Sequence, residues 1–174
     1  MIKYVLVGGL LTLNALTAGA VDYPVTVRSC DRQVTFDRPP LRVVVHDISL
    51  ASMLLSLGLR DRIVGYTGFG DSKPREPWVL EELANVPQLA SRYPSLETLL
   101  DANADLFFAG WSYGMRVGGP VTPATLQPFG IPVYELSESC SRIMAPRRAS
   151  LDDMYRALLN LGEIFSVQAE AEHV

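Results

Sequence analysis

Three observations predict an α/β fold with a doubly wound, mostly parallel, three-layer sheet. Short continuous apolar runs at residues 43–45 ("VVV") and 104–109 ("ADLFFA") have the pattern of strands buried on both faces. Stretches with leucines at three- and four-residue spacing stand between the apolar runs, as helices would. The connections are long enough for crossovers, so strand and helix alternate along the chain.

Each element follows in order. Residues 1–20, "MIKYVLVGGLLTLNALTAGA", are set aside as an export signal: Lys3 gives a positive end, an apolar stretch follows, and Ala18-Gly19-Ala20 suits cleavage after Ala20. The apolar stretch is too short for a comfortable membrane span and is interrupted by Asn14. "YPVTVRSCDRQVTF" alternates on both sides of Cys30-Asp31-Arg32 and predicts an N-terminal β-hairpin. "LRVVVHD" is the first buried strand. "ISLASMLLSLGL" is helical, with Gly58 where a C-terminal cap belongs. "RIVGYTGFGD" is a second short strand running into a glycine-rich loop, and residues 72–93 carry no assignable pattern. "PSLETLLDANADLFFAG" reads as helix then strand, and "TPATLQPFGIPVYEL" repeats that unit with Gly130 as the stop. A last helix starts after Ser150, its N-cap, with Asp153 three residues on.

Composition narrows the function. Of the 15 basic and 19 acidic residues, the signal removes one lysine and no acid, which leaves a net charge of −5. That balance argues against nucleic acid or an anionic membrane as a partner, and no other run is suited to membrane insertion. Export places Cys30 and Cys140 in an oxidising compartment, where one disulfide is the default over a thiolate or metal pair. Closing so long a loop stabilises a fold by about 4–5 kcal/mol in the chain-entropy argument.

In a doubly wound sheet, ligands gather at the carboxyl ends of the strands. The loops expected there are "HDIS", "GYTGFGD" and "GWSYGMRVGG". The last sets Trp111, Tyr113, Met115 and Arg116 among glycines. Such aromatics either cover the end of the sheet or form a stacking wall for a large planar ligand. His46 and Asp47 end the first strand on the same edge and could form a small polar site. A dedicated metal site needs three or four ligands, and the other histidine, His173, lies at the far end of the chain. No nucleophile elbow, phosphate loop or catalytic carboxylate pair is present in the sequence, so no enzyme activity and no cofactor is expected.

The segments "RVVVHDISLASMLLSLGLRDRIVGYTG", "YPSLETLLDANADLFFAGW", "TPATLQPFGIPVYELSESC" and "SLDDMYRALLNLGEIFSV", in this order and spacing, resemble periplasmic substrate-binding proteins of ABC importers for ferric siderophores, haem and cobalamin. Members have two α/β lobes joined by a long helix, with the ligand between them. The resemblance implies that residues 21–149 are the N-terminal substrate-binding lobe. Residues 150–174 would be the start of the interlobe helix, with the second lobe missing. It further implies a periplasmic, non-enzymatic protein that captures a ferric chelate or corrinoid and delivers it to a membrane permease. Asp47, Tyr66, Trp111, Tyr113 and Arg116 are the implied ligand contacts, Trp111 and Tyr66 by matching aromatic positions in cobalamin-binding members. Glu97, in "SLE", matches the carboxylate that docks on permease arginines. Two other readings remain open: a non-functional or dimerising truncated lobe, and a secreted α/β hydrolase or metal-dependent enzyme using Asp47 with His46. The second lacks a visible nucleophile.

Overall fold

The structure is a computed structural model that describes residues 22–70 and 76–174. The expected signal at 1–20 and the end of the "GYTGFGD" loop lie outside the described residues.

The chain opens with the expected antiparallel hairpin, β1 (Val25–Ser29) and β2 (Arg32–Phe36). Its inward residues Val25, Val27, Val34 and Phe36 are buried, whereas Thr26 and Thr35 face outward and share a 2.8 Å hydrogen bond across the strands. Cys30 sits in the two-residue turn with φ 54° and is joined by a disulfide to Cys140.

Five parallel strands form the main sheet: β3 (Val43–His46), β4 (Ile63–Thr67), β5 (Gln88–Ala90), β6 (Leu106–Trp111) and β8 (Val133–Glu135). A two-residue strand, β7 (Gly114–Met115), pairs alongside the end of β6. The order across the sheet is β5-β4-β3-β6-β8, so the chain winds outward from β3 in one direction and then from β6 in the other. All residues of β3 and β6 are buried, which is why both read as unbroken apolar runs. Their side chains alternate between two cores. Val43, Val45, Leu106 and Phe108 join α1 (Ile48–Ser56), α2 (Pro77–Glu82), α5 (Leu151–Phe165) and the hairpin. Val44, Phe107, Ala109 and Trp111 join α3 (Leu96–Asp101) and α4 (Pro123–Leu126). Each fully buried leucine, such as Leu54 on one side or Leu99 on the other, contributes roughly 1.5–3 kcal/mol.

Three differences from the sequence expectation have local causes. Residues 72–93 hold α2 and β5, and β5 was illegible because it has only three residues and joins β4 across a register shift. The strand expected at 104–109 runs two residues further, because β7 and Ser139 supply partners beyond Ala109. The last helix does not continue to 174. Ser166 adopts a left-handed conformation, φ 59°, and α6 (Gln168–His173) folds back along α5. The close approach needs a bare position: a Cβ on Gly162 would stand 2.7 Å from Ala171 Cβ.

The start of α5 is held by charge. Asp153 accepts hydrogen bonds from Arg147 Nη1 (2.6 Å) and Nη2 (2.5 Å) and from the Ser150 backbone N–H (3.0 Å). The Arg147 hydrogen bonds, opposed by desolvation and aided by Ser150, hold its carboxyl down at about 2. A depressed carboxyl stabilises the fold above its unfolded pKa of about 4, and that contribution is lost as pH falls toward the folded value. Asp153→Asn should therefore lower stability at neutral pH by about 1–2 kcal/mol in urea unfolding, with the gap to the parent closing between about pH 4 and pH 2.

Candidate functional site

The winding reverses between β3 and β6, and the crevice beyond their carboxyl ends is where such sheets bind ligands. On the β3 side, Asp47 adopts φ 77° and caps α1, its carboxylate accepting from the Ser49 N–H at 3.2 Å, while its own N–H donates to Thr67 O at 2.9 Å. His46 is buried, its Nδ1 2.8 Å from Thr67 Oγ1. The imidazole fills space that two glycines leave. A Cβ on Gly68 would lie 2.4 Å from His46 Cε1, and one on Gly114 would lie 2.8 Å from His46 Cβ; both glycines also have positive φ, 80° and 97°.

Aromatic and cationic groups gather over this imidazole. Tyr93, from the loop between β5 and α3, meets His46 edge-on at 5.1 Å, and its hydroxyl donates to Ser112 O at 2.8 Å. The Arg116 guanidinium lies 4.6 Å from the centre of the Tyr93 ring, on its face. Tyr66 packs on Phe69 with ring centres 4.3 Å apart. Tyr113 is half-buried; burial, then the neighbouring carboxylates of Glu138 and Asp47, push its hydroxyl above the ordinary tyrosine range, with Arg142 opposing. Asp47, Tyr66, Tyr113 and Arg116 thus border one edge, together with Tyr93, which the sequence reading missed. Its only signal was a tyrosine before Pro94, in a stretch without pattern.

Trp111 is placed differently. It is the last residue of β6, only 8% exposed, and its side chain belongs to the α3/α4 core, whereas Tyr66 packs on the α1/α5 side of the sheet. The two aromatics therefore do not make a shared wall. The indole N–H donates to Glu135 Oε1 at 2.7 Å. Glu135, fully buried on β8, also accepts from Ser29 Oγ at 2.8 Å and from Arg32 Nη2 at 2.7 Å. A carboxylate in the otherwise apolar "IPVYEL" was the legible sign that buried donors must converge there.

A cavity of about 500 Å³ beside this network is lined by Trp111, Glu135, Asp31, Arg32, Gly118 and Thr122. A larger groove of about 750 Å³ runs between β2 and residues 130–133, toward the amino ends of the strands and away from the aromatic edge. Among the described residues, no three His, Cys, Asp or Glu side chains are grouped to hold a metal ion. Glu97 is exposed in the first turn of α3, and hydrogen bonding with Ser95 holds its carboxyl below the ordinary range.

Removing the shared acceptor should cost most. Glu135→Ala leaves the Trp111 and Ser29 donors without their partner and is expected to destabilise the fold by about 3 kcal/mol. Trp111→Phe, which removes one donor, should cost about 1–3 kcal/mol. Urea unfolding of both variants checks the order.

No protein-family model matches the sequence, and no curated protein does. Solved structures do. A periplasmic binding protein from Veillonella parvula is 29% identical, with TM-score 0.72 over 88% of this chain and 49% of that one. An ABC-type Fe3+-hydroxamate transport system from Saccharomonospora viridis is 24% identical, with TM-score 0.69 over 87% of this chain and 51% of that one. A periplasmic heme binding protein from Pseudomonas aeruginosa is 21% identical, with TM-score 0.55 over 77% and 41%. The chain spans about half the length of the structures it matches. With its parallel sheet, hairpin and reversal at β3/β6, it has the fold of one lobe of the class III periplasmic binding proteins.

Proposed function

We propose that this chain is a solute-binding module of an ABC importer, exported to the periplasm, that captures an iron chelate or corrinoid and hands it to a membrane permease. What supports this reading is the carboxyl-end edge of the sheet, where Tyr93 packs on His46, Arg116 lies over Tyr93, Tyr66 packs on Phe69 and Tyr113 stands near Asp47. Aromatic faces offer a large planar ligand contact area at low entropy cost, and the guanidinium offers an anionic chelate charge and hydrogen bonds. Asp47 shapes this edge through the α1 cap. The similarity to a protein described as an ABC-type Fe3+-hydroxamate transport system and to one described as a periplasmic heme binding protein supports the same class of ligand. Glu97 would be the docking residue: an exposed carboxylate at a helix start mainly sets orientation and association rate.

The test is calorimetric titration of the purified chain with a ferric trihydroxamate, a ferric catecholate, haemin and cyanocobalamin. One of them should bind saturably, and Tyr113→Ala and Arg116→Ala should each weaken binding about 5–10-fold while leaving the circular dichroism unchanged. A natively folded chain that binds none of the four would overturn the reading. Glu97→Ala should leave this affinity unchanged and slow delivery in a reconstituted importer.

A further inference from the structure

Among the described residues, five that are not glycine have a positive φ: Cys30, Asp47, Asn103, Ser112 and Ser166. The left-handed region favours glycine, so a side chain held there needs a compensating reason. For four of the five the fold provides it. Cys30 is in the disulfide, Asp47 caps α1, the Asn103 carboxamide donates to Asp101 O at 3.3 Å, and Ser166 ends α5, where this conformation is usual. Ser112, with φ 71°, is the exception. Among the described residues its hydroxyl makes no hydrogen bond.

Ser112 is the third residue of the β-turn at 110–113, closed by the Tyr113 N–H donating to Gly110 O at 2.8 Å. A positive φ at that position is ordinarily given to glycine or asparagine. The turn is pinned from several sides. The Trp111 N–H donates to Ser139 Oγ at 3.0 Å, the Ser112 N–H donates to Met115 O at 2.8 Å, and Ser112 O accepts from the Tyr93 hydroxyl at 2.8 Å. The same Tyr93 carries the Arg116 guanidinium on its ring face. Serine and guanidinium are therefore held on one ring at the carboxyl end of β6. Glycine would make every one of these backbone bonds without the cost of a Cβ. What serine adds is the hydroxyl.

We propose that Ser112 is a further ligand contact of this edge, its hydroxyl donating to an oxygen of the bound chelate beside the Arg116 guanidinium. Ser112 has this role only if the chain binds a solute as proposed above. Hydroxamate and catecholate oxygens, haem carboxylates and corrinoid amides are all acceptors for such a donor. A hydroxyl fixed on a pinned turn meets its acceptor without having to be ordered first.

The test pairs binding with stability. The parent, Ser112→Gly and Ser112→Ala are titrated calorimetrically with the ferric trihydroxamate, the ferric catecholate, haemin and cyanocobalamin, and are melted without ligand. Glycine should leave the melting midpoint unchanged or raised, since it keeps every backbone bond and takes the Cβ out of a left-handed position. It should weaken binding of the compound that the parent takes by about 5–10-fold. Alanine keeps the Cβ and lacks the hydroxyl, so an equal loss of affinity separates the missing hydroxyl from the added freedom of glycine. Either variant binding as tightly as the parent would overturn the proposal. So would a glycine variant that melts lower, because the serine would then serve the fold. A parent that binds none of the four compounds overturns the solute-binding reading itself, and this contact with it.

Discussion

The carboxylate of Glu135 is the interaction on which the arrangement depends. It lies on the outermost strand of the sheet, fully buried, and receives donors from Trp111 on β6 and from Ser29 and Arg32 on either side of the hairpin turn. A buried carboxylate is tolerated only when its oxygens are satisfied, so the hairpin must sit where it does. The Ser29 hydroxyl also accepts from the Glu135 N–H, and Arg32 reaches the Val133 carbonyl. In this way the turn closes the open edge of β8, which would otherwise present unpaired backbone groups. The disulfide from Cys30, between those two donors, to Cys140 fastens the same corner covalently.

A second constraint acts at the reversal of winding. Two glycines with positive φ, Gly68 and Gly114, leave room for the His46 imidazole below the aromatic edge. With His46 seated and bonded to Thr67, Tyr93 has a ring to pack on, and Arg116 has the face of Tyr93. The edge is thus built in layers, histidine, then tyrosine, then guanidinium, on a rigid base. In the proposed role, preorganisation of this kind would lower the entropy cost of holding a large ligand.

Helix α5 serves two surfaces with one sequence. Its inner residues complete the core under β3, β6 and β8, while Leu151, Tyr155 and Leu159 on its outer side are exposed. The Arg147–Asp153 pair and the Ser150 cap fix where the helix begins, and Ser166 with Gly162 fixes where it turns back. Both ends are therefore defined by local chemistry, not by the length of the apolar pattern.

The fold class, the hairpin, the long strands, the principal helices and the disulfide partners were legible because local periodicity, cap residues and cysteine count act over short windows or admit one pairing. Asp47, Tyr66, Tyr113 and Arg116 were legible as edge residues because strand ends in a wound sheet share one side. Tertiary structure alone decided the rest. Trp111 follows an apolar run beside glycines, and nothing local says that its indole turns to the opposite side of the sheet from Tyr66. That depends on strand parity, on β6 extending to Trp111, and on an acceptor 24 residues away. Tyr93 joined the site through a three-residue strand that only its pairing with β4 stabilises. Sequence patterns report what a residue prefers, whereas burial partners distant in the chain determine which way its side chain faces.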